Sequence, residues 1–519
     1  MLRGKQSTIR DFFMGGHKLP WLAVSGSIVA TEISAITFIA VPATVFATGG
    51  NFTYLQWGIG SIIARVIVGL FFTKVFYERQ IFSPYDYMES RLGKGTRTLT
   101  TWFFFMSTVL GQSVRLLVTA LILKIVTPVV MLEFSLFGHD ITFNLFSFEM
   151  CIVIIVLFAM LWTIMGGMTT VIWTEVIQFF IFVGGGILAC GVLLASISGG
   201  LPEFFRVAGE AGKLKLIDLS TDPHAQFTLW TAIIAMPFQN LAAFGTDQLN
   251  AQRIFCCKSP QEAGKAVIFS SFSLLITVLM LLVGAGLYVF YYQNPPSEAE
   301  LAQFAQRPDA VFPVWATFHL PAGVAGIVLA GAFAAAISSI QATLAALAQT
   351  TLSLFYAGKG LENADQKRLV HQSRNMVVVW SVGLIFFALG LEVIRGRLDL
   401  LSLAFGMTSY TYGPLLGTFL LALTPLKRTI RGAAIGAAIS ILLVFMMRPE
   451  LYNILAVFHV ITPERAKEIL GSMPNFAWFF PITCIITFTF GALFEPTVRM
   501  LKDGTLLEKM KSLLHRREN

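Results

Sequence analysis

The chain has 519 residues, of which 55% are hydrophobic and only 13% charged, with a formal charge of +8 and a mean hydropathy of +0.73. A soluble domain carries about 25% charged residues, so this composition excludes one and leaves a polytopic, all-α membrane protein. No ten-residue alternation suggests a barrel, and the basic surplus is scattered over short loops rather than gathered into a nucleic-acid patch.

Residues 1–20, with Arg3, Lys5, Arg10 and Lys18, are polar and basic and lack the apolar core of a signal peptide. They read as a cytoplasmic N-terminal segment. About twelve spans follow, near 21–48, 54–77, 99–131, 148–166, 171–195, 228–250, 266–292, 321–356, 376–394, 400–424, 432–447 and 475–494. With loops alternating sides, about 25 of the Lys and Arg residues fall on the N-terminal side and about 9 opposite. By the positive-inside rule both ends, including the tail 495–519, are expected in the cytoplasm of a plasma membrane.

The first span carries polar residues in its middle: Gly26 to Gly50 reads GSIVATEISAITFIAVPATVFATGG. A carboxylate at bilayer depth costs on the order of 3 kcal/mol, so Glu32 is not expected to face lipid. It either seals helix packing or belongs to a helix broken at mid-membrane, whose freed carbonyls and hydroxyls coordinate an ion or solute. The sixth span repeats the feature: PFQNLAAFGTDQ, Pro237 to Gln248, sets a proline, a glycine, amides and Asp247 in an apolar run. Two groups of five spans, 21–195 and 228–424, thus each open on an interrupted helix. An external loop 196–227 joins them, and two peripheral helices occupy 425–494. Interrupted helices at matching positions in two inverted halves point to a midplane binding site.

Other intramembrane polar residues have more than one reading each. Arg115 in span three shares a helix face with Gln112 and Thr119. It is either fixed in a salt bridge with Glu32 or Glu175, or a donor fork that clamps an anionic solute. Glu175 in span five is a second cation ligand, a proton carrier, or a partner for Arg115. In span eight, GAFAAAISSIQATLAALAQTT packs small residues. Its Ser338 and Ser339 either pack or add oxygens to carbonyls of a broken neighbour, a donor set that suits sodium.

The five cysteines have no metal-like spacing, the seven histidines lie in loops or at span ends, and no HExxH, GxSxG or phosphate-loop motif is present. No enzyme is expected from this pattern.

Taken in order, DFFMGGHKLPW, ATEISAITF, GGMTTVIWTEVIQ, DQLNAQRIFCCKSPQEA, AAAISS and YGPLLGTFLLAL resemble the sodium:solute symporter family from Asp11 to about Leu423. The resemblance implies the LeuT-type fold, with five-plus-five inverted repeats and two extra C-terminal helices, and one further helix ahead of DFFMGG in most members. It implies a sodium site formed by carbonyls of Ala30, Ile33 and Ala335 and hydroxyls of Ser338 and Ser339, with Na+ the only metal. A second sodium site in some members uses serines and an aspartate where this chain has Gln341, Ala342 and Glu175. Glu32 and Glu175 therefore stand as possible second-cation or proton residues.

Neutral-sugar members carry a glutamine and a tyrosine where this chain has Thr37 and Ala243. The pattern of Ser34, Thr37 and Arg115 is instead similar to sialic-acid symporters, where those positions hold the substrate carboxylate. Asn240, Tyr54 and Gln56 complete the implied substrate set. The expectation is sodium-coupled import of a small carboxylate-bearing solute, sialic acid foremost, by a protein functional as a monomer in the bilayer. A proline-like amino-acid or sugar symporter, with Glu32 facing an ammonium, is the alternative, and a non-translocating sodium and solute sensor is the reading from another class. Tails of about 20 and 25 residues leave no room for a signalling domain.

Overall fold

The computed structural model describes residues 17–502 apart from 80, 82, 128–129, 137–138, 357–364, 395–399 and 427. Most of the expected terminal segments 1–20 and 495–519 therefore lies outside the described residues. Among the described residues nine helices are long and apolar enough to cross a membrane, and a bent pair makes ten. The two expected spans not among them, 228–250 and 400–424, are each broken into pieces too short to cross alone. The second splits into Leu400–Thr408 and Tyr412–Leu423.

The bent pair is Trp21–Glu32 with Ile36–Phe46, turned by 54°. The first half stops because Ile33 and Ser34 take extended backbone conformations, and the Ser34 hydroxyl accepts from the Ile36 amide to start the second half. A serine that hydrogen-bonds local backbone competes with helix continuation, which is why the break falls at TEIS. The sixth segment breaks by the same device. Met236–Gly245 ends at Thr246, and an extended Asp247 caps Gln248–Ile254 by accepting from the Leu249 amide at 2.8 Å. A π-helical turn, Thr231–Ala235, precedes it.

The two spans expected at 148–166 and 171–195 stand as Phe148–Met165 and Thr169–Ala195, with helical backbone continuing between them. Gly166 and Gly167 mark their junction without breaking the helical backbone, since glycine lowers helix propensity by only about 1 kcal/mol and tertiary packing overrides it. This helix lies against Ala322–Phe355. A Cβ on Gly331 would stand 3.2 Å from the Ile181 carbonyl, so the small-residue run does bring two backbones close. Gly284, on the span Pro260–Gln293, leaves room for Pro42 in the same way: a Cβ there would meet the Pro42 carbonyl at 2.5 Å. The last two helices, Ile430–Met447 and Phe479–Lys502, pack on each other.

The segments between spans are less plain than expected. Residues 196–227, expected as a loop, carry the helix Gly200–Glu210, and Pro84–Leu92, Glu298–Gln306 and Val311–His319 are short helices between spans. Met131–Leu136 and His139–Asn144 pair as an antiparallel hairpin, and with the isolated bridge Leu19–Cys257 they are the exceptions to helical secondary structure among the described residues. Buried Lys213, just beyond Gly200–Glu210, donates its ammonium to the carbonyls of Val45, Phe46 and Ala47 at 2.8, 3.2 and 2.6 Å. A cation on the carbonyl end of a helix is favourable on both hydrogen-bond and dipole grounds. Large apolar side chains such as Phe180, Phe386 and Val393 are exposed on the outside, as lipid contact requires.

Candidate functional site

Both breaks open onto one cavity of about 190 Å³. At roughly 30 Å³ per water in the liquid, it holds about six waters. Thr31, Glu32, Ser34 and Thr37 line it from the first broken helix, Asn240, Asp247 and Asn250 from the second, Gln112 and Arg115 from Thr96–Val126, and Thr408 and Tyr412 from the split span 400–423. A largely preformed cleft with a few convergent polar groups is the usual form of a small-solute site.

On the side of Ala322–Phe355 the first break presents a set of neutral oxygens. The buried Ser338 hydroxyl reaches the Ala30 carbonyl at 3.1 Å and the Ala335 carbonyl at 2.9 Å, tying together three of the five residues expected around sodium. Ser339, equally buried, donates to Gln112 Oε1 at 3.2 Å. Ile33 sits at the break itself with extended backbone, and no hydrogen bond links it to this set among the described residues. Hydroxyls and carbonyls without a fixed angular pattern are what a hard monovalent cation accepts.

Arg115 joins this oxygen set to the cavity. Its Nη1 donates to the Thr31 carbonyl at 3.0 Å and to Ser339 Oγ at 2.6 Å. The salt bridge to Glu32 or Glu175 weighed for it from sequence does not form: neither carboxylate is its partner. Nε and Nη2 have no hydrogen-bond partner among the described residues, so most of the donor fork is left for another acceptor.

The two glutamates are neutralised elsewhere. Glu32 pairs with Arg65 at 2.5 Å; Arg65 is wholly buried, also donates to Ser273 and lies 4.3 Å from the Phe244 ring centroid. Glu175 pairs with Arg253 at 2.6 Å, both side chains inaccessible, and Ser27 hydrogen-bonds to both. Neither Arg65 nor Arg253 was among the candidate residues read from the sequence. The signal available was that each is an arginine near spanning residues with no solvent to reach, which requires a buried acid.

Asp247 is different. It is buried, lines the cavity, and is held by the Tyr412 hydroxyl at 2.7 Å and the Leu249 amide, with no cationic partner among the described residues. Asn240 donates to the Met236 carbonyl, and among the described residues its amide oxygen meets no donor and the Thr37 hydroxyl makes no hydrogen bond. Tyr54 lines the cavity with its ring against Phe227 and Trp57. Gln56 does not line it. Its amide binds the Thr53 and Phe227 carbonyls and accepts from the Asp218 amide, fastening the segment before the sixth span.

The model of the sodium:solute symporter family matches residues 12–440. The human sodium/iodide cotransporter is 28% identical over 428 residues, 82% of this chain and 62% of that protein's length. The sodium/sialic acid symporter SiaT of Proteus mirabilis (strain HI4320) is 25% identical over 451 residues, 86% of this chain and 85% of the relative. In fold, the chain is similar to the substrate-bound, outward-open state of a Na+-coupled sialic acid symporter, with a TM-score of 0.76 at 23% identity, covering 95% of this chain and 93% of that one.

Proposed function

Because this chain belongs to the sodium:solute symporter family and has its LeuT-type fold, we propose that it is a secondary active symporter that couples Na+ to the import of a small carboxylate-bearing solute, with sialic acid the leading instance. The observation that carries this reading is Arg115, a guanidinium without an acidic partner that lines the cavity between the two breaks and touches the oxygen set of the first. Similarity to carriers named for sialic acid and for iodide, both anions, supports a cationic anchor. In this reading Ala30, Ile33, Ala335, Ser338 and Ser339 hold sodium, while Arg115, Ser34, Thr37 and Asn240 face the solute and Tyr54 closes it from the outer side. Alternating access of the halves 21–195 and 228–424 about this site moves both across the membrane. The protein acts as a monomer with both termini cytoplasmic.

The test is the melting temperature of the purified protein against sialic acids, monocarboxylates, amino acids and neutral sugars, in sodium and again in potassium. A ligand at 100 times its dissociation constant stabilises by about 2.7 kcal/mol, a readable shift. A sodium-dependent shift with one carboxylate class supports the reading; shifts with neutral sugars alone overturn the carboxylate, and indifference to sodium overturns the coupling ion.

A second reading, a zwitterionic amino acid, draws on Asp247. Glu32 is occupied by Arg65, so the ammonium site weighed there moves to Asp247, which faces the same cavity as Arg115 without a cationic partner. Stabilisation by amino acids but not by simple carboxylates selects this reading over the first.

A further inference from the structure

Arg115 and the expected sodium site share an oxygen. Nη1 of Arg115 is 2.6 Å from Ser339 Oγ and 3.0 Å from the carbonyl of Thr31, the residue that follows Ala30 at the break. The same Ser339 hydroxyl spends its own hydrogen on Gln112 Oε1, so it faces the guanidinium as an acceptor. Beside it, the Ser338 hydrogen covers the carbonyls of Ala30 and Ala335. Every one of these acceptors is therefore met by a donor of the protein itself, and one of those donors carries a full positive charge.

Two cations do not share one hydroxyl oxygen in a low-dielectric interior: their repulsion is large at the separation a common ligand imposes. An acceptor orbital pointed at Nη1 is also not available to a metal ion. We propose that Arg115 and sodium exchange at Ser339: without sodium the guanidinium is parked on Ser339 and the Thr31 carbonyl, and sodium binding releases it toward the cavity, where it meets the anionic group of the solute. The exchange makes Arg115 the positioning residue that converts an occupied cation site into an available anion site. By linkage the solute, by drawing Arg115 away, favours sodium to the same degree. The proposal rests on the sodium site put forward above, and the observation behind it is the shared oxygen rather than the cavity.

The experiment is sodium binding to the purified full-length protein with no organic solute, by radioactive sodium in a scintillation-proximity format, for wild type, Arg115→Gln and Ser338→Ala. Loss of the competing charge should tighten sodium binding at least tenfold in Arg115→Gln, whereas Ser338→Ala should weaken it. Unchanged or weaker sodium binding in Arg115→Gln, with Ser338→Ala still impaired, overturns the exchange and leaves the sodium site standing. Sodium binding that is absent in wild type, or indifferent to Ser338→Ala, overturns the site and the exchange together. Wild-type protein gives an independent reading that does not depend on a variant folding: structures determined in sodium and in potassium should show the Arg115–Ser339 bond broken in the first and kept in the second. A bond that persists with sodium bound overturns the proposal.

Discussion

Arg253 and Glu175 face each other at 2.6 Å with neither side chain accessible, and they join Gln248–Ile254, the second piece of the sixth segment, to the helix Phe148–Ala195. Ser27, on Trp21–Glu32 of the first broken helix, bonds to both, so three helices meet in one charge-neutral knot.

Breaking that pair from one side strands a buried charge. Glu175→Gln or Arg253→Met alone should destabilise the protein by about 3–5 kcal/mol, while a double replacement by apolar residues of similar volume should cost less than either. Thermal unfolding in detergent of the two single variants and the double reads the cycle, and additive losses would show that the residues act independently.

Arg115→Ala should lose stabilisation by anionic solutes, and Arg115→Lys should restore little of it. A lysine presents a point charge where the fork offers two parallel bonds, and charge-assisted bonds of this kind are worth about 1.5–3 kcal/mol, roughly ten- to a hundredfold in affinity. Ligand-induced melting shifts of the three proteins decide it; equal shifts would make Arg115 structural.

Ser339→Ala should weaken the sodium dependence of solute uptake into vesicles, because the substitution removes one oxygen of the expected site and the parking place of Arg115 at once. An uptake curve with the wild-type sodium response would place the ion elsewhere.

Glu300 predicts an acid-side loss of stability. Burial alone would raise its pKa, but hydrogen bonds from Tyr291, from the amide and hydroxyl of Ser297 and from His319 outweigh that and hold it at about 2, against 4.5 ordinarily. A carboxylate with a depressed folded pKa binds its proton more weakly than in the unfolded chain. Its contribution is therefore whole above about pH 4.5 and fades as the pH falls toward 2. The melting-temperature difference between wild type and Glu300→Gln should be steady near neutral pH and shrink below 4.5; a constant gap down to pH 3 contradicts the assignment.

Much of this architecture could be read in advance because bilayer physics leaves strong marks. Length and hydropathy marked the spans, and polar residues inside apolar runs marked both breaks, at Ser34 and at Asp247, where short side chains cap the next half. The partners of buried charges were not readable. Glu32 takes Arg65 and Glu175 takes Arg253, pairings that join residues 33 and 78 positions apart and depend on how helices pack, which periodicity does not encode. Gln56 was misjudged for the same reason, since its position at the outer end of a span says nothing of the backbone groups it would meet. The split at Ser409–Thr411 went unread although the residues beside it carried a mark. Pro414, in the first turn of Tyr412–Leu423, is a residue that favours a helix start, and the polar stretch Thr408–Thr411 just ahead of it is where the chain breaks.

Lys213 gives the exterior of the protein a handle on its interior. Because its ammonium grips the last carbonyls of Ala35–Phe46, that helix and the half-buried helix Gly200–Glu210 are tied into one mechanical piece. Any tilt of that helix is carried to Gly200–Glu210 through a link of a few residues. A spectroscopic label on the water-facing side of Gly200–Glu210 therefore reports the motion of a helix that no label reaches directly, and Lys213→Met, by cutting the link, should silence that report while leaving the helix itself in place.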